Sequence, residues 1–111
     1  TVFYNNKYLE GVAVAAGIAK GKARLILYPE EGNKLGPGEI MIAPSTDPGW
    51  TPLFLKASGL IMETGGFLSR GAIVAREYGL PAVVNVPRVM RAIKDGQMVV
   101  VDGYQGKVFL R

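Results

Sequence analysis

Apolar residues along this chain come in short runs, each closed by glycine, proline or a polar turn, a pattern that predicts brief strands and helices. Residues 1–10 mix aromatics, asparagines and charges without a clear period and fit a short edge strand or the trace of a linker. From Lys22 to Leu27 the chain alternates, with Ala23, Leu25 and Leu27 opposite Lys22, Arg24 and Ile26. This predicts a strand that ends at Pro29, and the polar stretch Glu30–Lys34 reads as a loop. Gly36-Pro37-Gly38 makes a turn, Glu39–Ala43 is an apolar run of buried-strand size, and Pro44 stops it. Pro44-Ser45-Thr46-Asp47-Pro48-Gly49 is dense in turn chemistry. Thr51 as N-cap and Pro52 as first helical residue then open a short helix over Leu53–Ala57.

Leu60–Met62 reads as a strand, broken by Gly65-Gly66. The helix that follows has Ala72-Ile73-Val74-Ala75 at its middle and is apolar nearly all round, which predicts packing between two layers. Gly79 and Pro81 end it, with Arg76 at the C-terminal end where the helix dipole favours a cation. Ala82–Val86 predicts another strand, Arg88–Lys94 a short helix or turn, and Gln97–Val101 a strand introduced by Asp95-Gly96. Lys107–Leu110 closes the chain as a hairpin strand turned through Tyr104-Gln105-Gly106. The sum is a mixed α/β fold in one domain. Trp50, Phe54, Met41, Met62, Met90 and Met98 sit in apolar contexts and are assigned to the core.

Composition narrows the chemistry. With 111 residues, 49% hydrophobic and 20% charged, the chain has the material for one ordered core. It contains no cysteine and no histidine, which excludes disulfides, thiolate or imidazole metal sites, Ser-His and Cys-His nucleophile pairs and imidazole acid-base catalysis. No apolar run reaches the ~18 residues of a membrane span, and a cytoplasmic protein without a signal peptide is expected. The formal charge is +4, but the basic residues are scattered. Lys20, Lys22 and Arg24 stand at strand spacing and Arg88, Arg91 and Lys94 at helical spacing, as on solvated faces. Without interleaved aromatics they predict neither a nucleic-acid nor a membrane partner.

The stretch Glu63-Thr64-Gly65-Gly66-Phe67-Leu68-Ser69-Arg70 runs from a strand end through paired glycines into a helix start. Two roles fit it. Backbone amides beside glycine, aimed with a helix N-terminus, suit phosphate; a plain strand-to-helix turn with Ser69 as N-cap needs the same residues. Glu63 and Asp47 offer a carboxylate pair for metal or acid-base work, or serve as turn and strand-end residues, the latter being the more ordinary use.

Taken whole, Gly65-Gly66-Phe67-Leu68-Ser69-Arg70-Gly71-Ala72-Ile73-Val74-Ala75-Arg76-Glu77-Tyr78-Gly79-Leu80-Pro81-Ala82-Val83-Val84 resembles the signature of the mobile domain of phosphoenolpyruvate (PEP)-utilising enzymes. The likeness extends to Gly17-Ile18-Ala19-Lys20-Gly21, to Ala43 through Pro52, and to Asp95-Gly96, Val101-Asp102-Gly103 and Gly106. It is strongest toward the C-terminal domain of phosphoenolpyruvate synthase-like proteins and rifampicin phosphotransferases. The resemblance implies a swivelling β/β/α fold over residues 1–111, the C-terminal part of a larger chain. It also implies a role in carrying phosphoryl groups between two distant active sites. Its partners would be the nucleotide-binding and substrate- or PEP-binding domains of that enzyme, which would hold ATP and Mg; no cofactor or metal is expected in this chain.

The family pattern places a histidine, the phosphoryl carrier, where this sequence has Arg70. A delocalised, protonated guanidinium offers no lone pair for that task, and the resemblance then implies a platform that does not shuttle phosphate. Arg70 with Gly65, Gly66 and Ser69 remains a candidate anion site, which leaves a second reading open: a free-standing, non-catalytic module that binds an anion or a partner through the Gly65–Arg70 loop.

Overall fold

The computed structural model describes residues 7–110. Their strands are β1 (Tyr8–Glu10), β2 (Val12–Ala15), β3 (Ile18–Leu25), β4 (Ile40–Ala43), β5 (Gly59–Met62), β6 (Ala82–Val84), β7 (Met98–Asp102) and β8 (Lys107–Leu110). The helices are α1 (Thr51–Phe54), α2 (Arg70–Glu77) and α3 (Val89–Ala92). The strands join in the order β1-β8-β7-β3-β4-β5-β6-β2. From β3 to β6 they run parallel, whereas β7, β8, β1 and the edge strand β2 pair antiparallel.

Every residue of β4 and β5 is buried, as strands covered on both faces must be. Their alternation divides the core. Met41, Leu60, Met62, Ala82 and Val84 pack with Trp50, Leu53, Phe54, Ala72 and Ala75 on the helical side. Ile40, Ile42, Ile61 and Val83 pack with Val99, Val101 and Val108 of the antiparallel strands and with Val89 and Ile93. The antiparallel half therefore folds over the parallel half, producing sheet, sheet and helix layers: the α/β, β/β/α arrangement that the resemblance implied. α1 and α2 are the crossovers that return the chain between β4, β5 and β6, so the carboxyl ends of these strands gather the loops that follow them at one edge.

Several expectations change in the folded chain. Pairing with β7 begins at Ile18↔Asp102, so β3 starts earlier than Lys22. It ends at Leu25, and beyond it the two-residue period lapses: Ile26 is buried, with its N–H donating to the Ile42 carbonyl at 2.8 Å, while Leu27 is exposed. The Glu30–Lys34 loop lies within a 3-10 turn, Pro29–Lys34, held by the Glu31 carboxylate, which accepts the Leu27 amide at 2.8 Å. Thr51 is the first residue of α1 rather than its N-cap, because a 3-10 turn over Pro48–Trp50 leads directly into the helix, which is over by Phe54. β6 stops at Val84 because Asn85 turns to φ 57°. The end of the 1–10 segment is the edge strand β1; residues 1–6 lie outside the described residues. Trp50, Phe54, Met41 and Met62 are buried, Met90 packs partly buried against the second core, and Met98 is only half-buried.

Arg24 is not on a solvated face. Its guanidinium grips Glu39 with two bonds (Nε–Oε1 3.0 Å, Nη2–Oε2 2.8 Å) and reaches Asp95 at 2.8 Å. Glu39 also accepts the Gly36 amide at 2.7 Å and Asp95 the Leu25 amide at 2.8 Å, so one cation ties β3 to the turns before β4 and β7. The Arg24 hydrogen bonds, and after them the Gly36 N–H, hold the Glu39 carboxyl at a pKa of about 2.

Candidate functional site

Past β5 the chain stays fastened to the segment after β4: Glu63 N–H donates to the Ala43 carbonyl (3.1 Å), and both the amide and hydroxyl of Thr64 donate to the Pro44 carbonyl (3.2 and 3.0 Å). Gly65 then takes φ +113°, which an L side chain rarely adopts, and turns the chain away from the sheet. The Gly66 carbonyl accepts both the amide and the hydroxyl of Ser69, at 3.0 and 2.7 Å, closing a tight turn. Ser69 occupies the N-cap position of α2, with extended backbone and its carbonyl accepting the Ile73 amide at 3.0 Å. Its hydroxyl is engaged backwards, however, so the side-chain cap expected from the sequence does not form and the first-turn amides of α2 have no side-chain acceptor.

Arg70 is the first residue of α2. It is exposed and, among the described residues, makes neither an ion pair nor a side-chain hydrogen bond. Exposed apolar residues stand near it in sequence: Phe67 is 56% exposed, Leu68 79% and Ile73 43%. Leu68, Arg70, Ile73, Val74 and Glu77 line a shallow depression of about 400 Å³. α2 is thus not sandwiched between layers. Gly71, Ala72 and Ala75 bury one side of it against the core, and the opposite side faces out.

Two residues that the sequence did not single out for this site hold it together. Arg76 reaches back along α2: Nη1 donates to the Val14 carbonyl at 2.8 Å, Nη2 to the Phe67 carbonyl at 2.7 Å, and the guanidinium lies 3.9 Å from the centre of the Phe67 ring. An arginine late in a helix whose preceding turn carries an aromatic was the available signal. Thr46 lies under the first turn of α2, where its buried hydroxyl has no hydrogen-bond partner among the described residues. It stands 2.7 Å from where a Cβ on Gly71 would lie, so the helix approaches this closely only because residue 71 is glycine.

Glu63 and Asp47 are each committed to the main chain. Glu63 Oε2 accepts the Met90 amide at 3.1 Å and Asp47 Oδ1 the Gly49 amide at 2.9 Å, the turn and strand-end work that is ordinary for such residues. Among the described residues no group of three or more acidic, histidine or cysteine side chains is arranged to hold a metal ion, and no helix is long and apolar enough to cross a membrane. The site therefore offers a fork of donors on an apolar, outward-facing helix start; neither a histidine nor a cysteine exists to act there as nucleophile.

Comparison with known proteins agrees with this geometry. Rifampicin phosphotransferase of Bacillus cereus is 49% identical over 98 residues, covering 88% of this chain and 11% of that protein. Phosphoenolpyruvate synthase of Aeropyrum pernix is 38% identical over 102 residues, covering 91% of this chain and 12% of that protein. The chain thus spans only about a tenth of the length of these relatives. In fold it is similar to an Enzyme I protein solved by NMR, with a TM-score of 0.73 at 16% identity over 93% of this chain and 92% of the other. Residues 35–106, containing the Gly65–Val84 signature, match the family model of the PEP-utilising enzyme mobile domain, and to that family this chain belongs.

Proposed function

We propose that the chain is the carrier-type swivelling domain of a multidomain phosphotransferase of the phosphoenolpyruvate synthase and rifampicin phosphotransferase kind, with the acceptor position occupied by Arg70 and the transfer step absent. The observation that carries this reading is the position of Arg70: first residue of α2, beyond the glycine pair, exposed beside apolar side chains on a face that none of the described residues covers. A carrier needs such an exposed point on a rigid layer so that successive active sites can reach it. The length of the relatives supports a parent chain with further domains, to which we assign the binding of nucleotide with Mg and of the phosphoryl acceptor. Gly65, Gly66 and Ser69 shape the turn that presents Arg70, and these four residues are the proposed anion-facing site. The outward apolar face favours a role against partner domains over that of a free-standing module.

The test replaces the matched stretch of the full-length Bacillus cereus relative by this chain. With Arg70 present, neither phosphoryl label on the chain nor phosphorylation of rifampicin is expected. Arg70→His supplies an imidazole nitrogen that forms a P–N bond as the nucleotide's P–O bond breaks, and an acid-labile phosphate then appears in the intact mass. Label on the unmodified chain, or an inert Arg70→His form that still binds nucleotide, overturns the reading.

A further inference from the structure

β1 and β2 stand at opposite ends of the strand order yet follow one another in the chain, parted only by Gly11. One segment, residues 8–15, therefore pairs with β8 in the antiparallel half and with β6 in the parallel half, and the chain itself closes the strand order into a ring. Gly11 makes the corner: its N–H donates to the Gly106 carbonyl at 2.8 Å, and a Cβ there would meet the Val84 carbonyl. The turn after β7 presses on the same segment, since a Cβ on Gly103 would meet the Ala15 carbonyl and one on Gly106 would lie 2.8 Å from the Gly11 carbonyl. Against β6 the register runs Val12↔Val84, Ala13↔Val83 and Ala15↔Ala82, so Val14 is the extra residue of a bulge. Its carbonyl accepts Arg76 Nη1, while Nη2 of the same guanidinium holds the Phe67 carbonyl in the turn before Arg70. Both donors belong to one rigid planar group, so β2 and that turn cannot move apart without breaking one bond or the other.

We infer that the Val14 bulge is the positional reference for residue 70: the seating of β2 against β6 and the 103–106 turn fixes, through Arg76, where the Phe67–Ser69 turn holds the first residue of α2. Arg76 is in this sense a positioning residue, and the device is conformational. With β2 seated, position 70 is presented; with β2 displaced, the turn beneath it is released. That position 70 matters to the domain's task rests on the carrier-platform reading above, whereas the coupling is a property of this chain's own contacts.

Amide exchange of the chain is measured at Ser69, whose N–H closes the turn, and across β2 and β6, each relative to the Ile26 amide that bonds the Ile42 carbonyl. Val12→Gly weakens the edge strand at an exposed position and leaves Arg76 in place. It is expected to speed exchange about fivefold in β2 and about threefold at Ser69. Gly103→Ala, which pushes on the Ala15 carbonyl from the neighbouring turn, should do the same. In an Arg76→Met background Val12→Gly should still speed exchange in β2 but change Ser69 by less than about 1.5-fold, a non-additivity that a general loss of stability does not produce. Ser69 unmoved while β2 loosens, an equal response at Ser69 with Arg76 replaced, or a β2 that neither variant loosens overturns the inference. If exchange is coupled as expected but Arg70→His in the full-length chimera stays inert, the platform reading fails and the coupling stands.

Discussion

Replacing Arg76 by methionine preserves an unbranched apolar stem of similar reach and removes only the guanidinium. Three contacts go with it: the half-buried bond to the Val14 carbonyl, the more exposed bond to the Phe67 carbonyl, and the stacking on the Phe67 ring. A charged donor to a part-buried carbonyl contributes about 1.5–2 kcal/mol, the exposed bond about 0.5–1, and an exposed cation–π contact about 0.5, so Arg76→Met should lose about 3 kcal/mol. The loss divides in space, because the Val14 bond ties α2 to β2 whereas the other two contacts fix the Phe67 turn. Urea unfolding at pH 7 reads the whole, and amide exchange at Ser69, whose N–H closes that turn on Gly66, reads the local part. Arg76→Lys should recover less than half, since a single ammonium cannot span both carbonyls and stack as well. A lysine form as stable as the parent, or a methionine form losing less than about 1 kcal/mol with Ser69 exchange unchanged, refutes this account of the clasp.

The Glu39 carboxyl, held at about 2 against an ordinary 4.5, contributes stability that is complete above pH 4.5 and is lost as pH falls through about 2. Allowing for the partial exposure of the Arg24 pair, Glu39→Gln should cost about 2 kcal/mol at pH 7 and almost nothing at pH 2 in paired thermal unfolding curves; a gap independent of pH contradicts the ion-pair origin. Thr46→Val keeps the shape of the side chain and removes a buried hydroxyl with no partner, so the midpoint of urea unfolding should rise by an amount equivalent to about 1 kcal/mol; a fall shows that the hydroxyl has a bound partner in solution.

The sequence displays most of the strands because their apolar runs are bounded by turn residues that act locally, and β4, β5 and the β7–β8 hairpin lie within a residue of where Pro44, Gly65-Gly66 and Asp95-Gly96 imply. What it conceals is which side of each element is covered. Ala72-Ile73-Val74-Ala75 looks uniformly buried as a string, yet Ile73 points outward, and only the sheet order reveals that α2 has a single layer beneath it. The same applies to Arg24, whose partners Glu39 and Asp95 are 15 and 71 residues away and meet through tertiary approach alone. At the site, Gly65, Gly66, Ser69 and Arg70 fall within six residues and are visible in the sequence, and Arg76 reaches Phe67 from nine residues along, whereas Thr46 joins them only through the tertiary approach of α2.

Position 70 shows why family membership and chemistry separate so readily in this fold. Both cores are built mainly from residues on the inner sides of β2–β8 and the helices, and Arg70 belongs to neither. Its backbone is set by its neighbours: Gly65 turns the chain, Gly66 and Ser69 close the turn, Gly71 lets α2 approach Thr46, and Arg76 pins Phe67. A residue whose conformation is dictated from both sides while its side chain stands in solvent is free to change identity at almost no cost in stability. In the proposed reading, arginine in place of a carrier histidine exchanges a nitrogen lone pair for a fixed positive charge while leaving the platform beneath it unchanged.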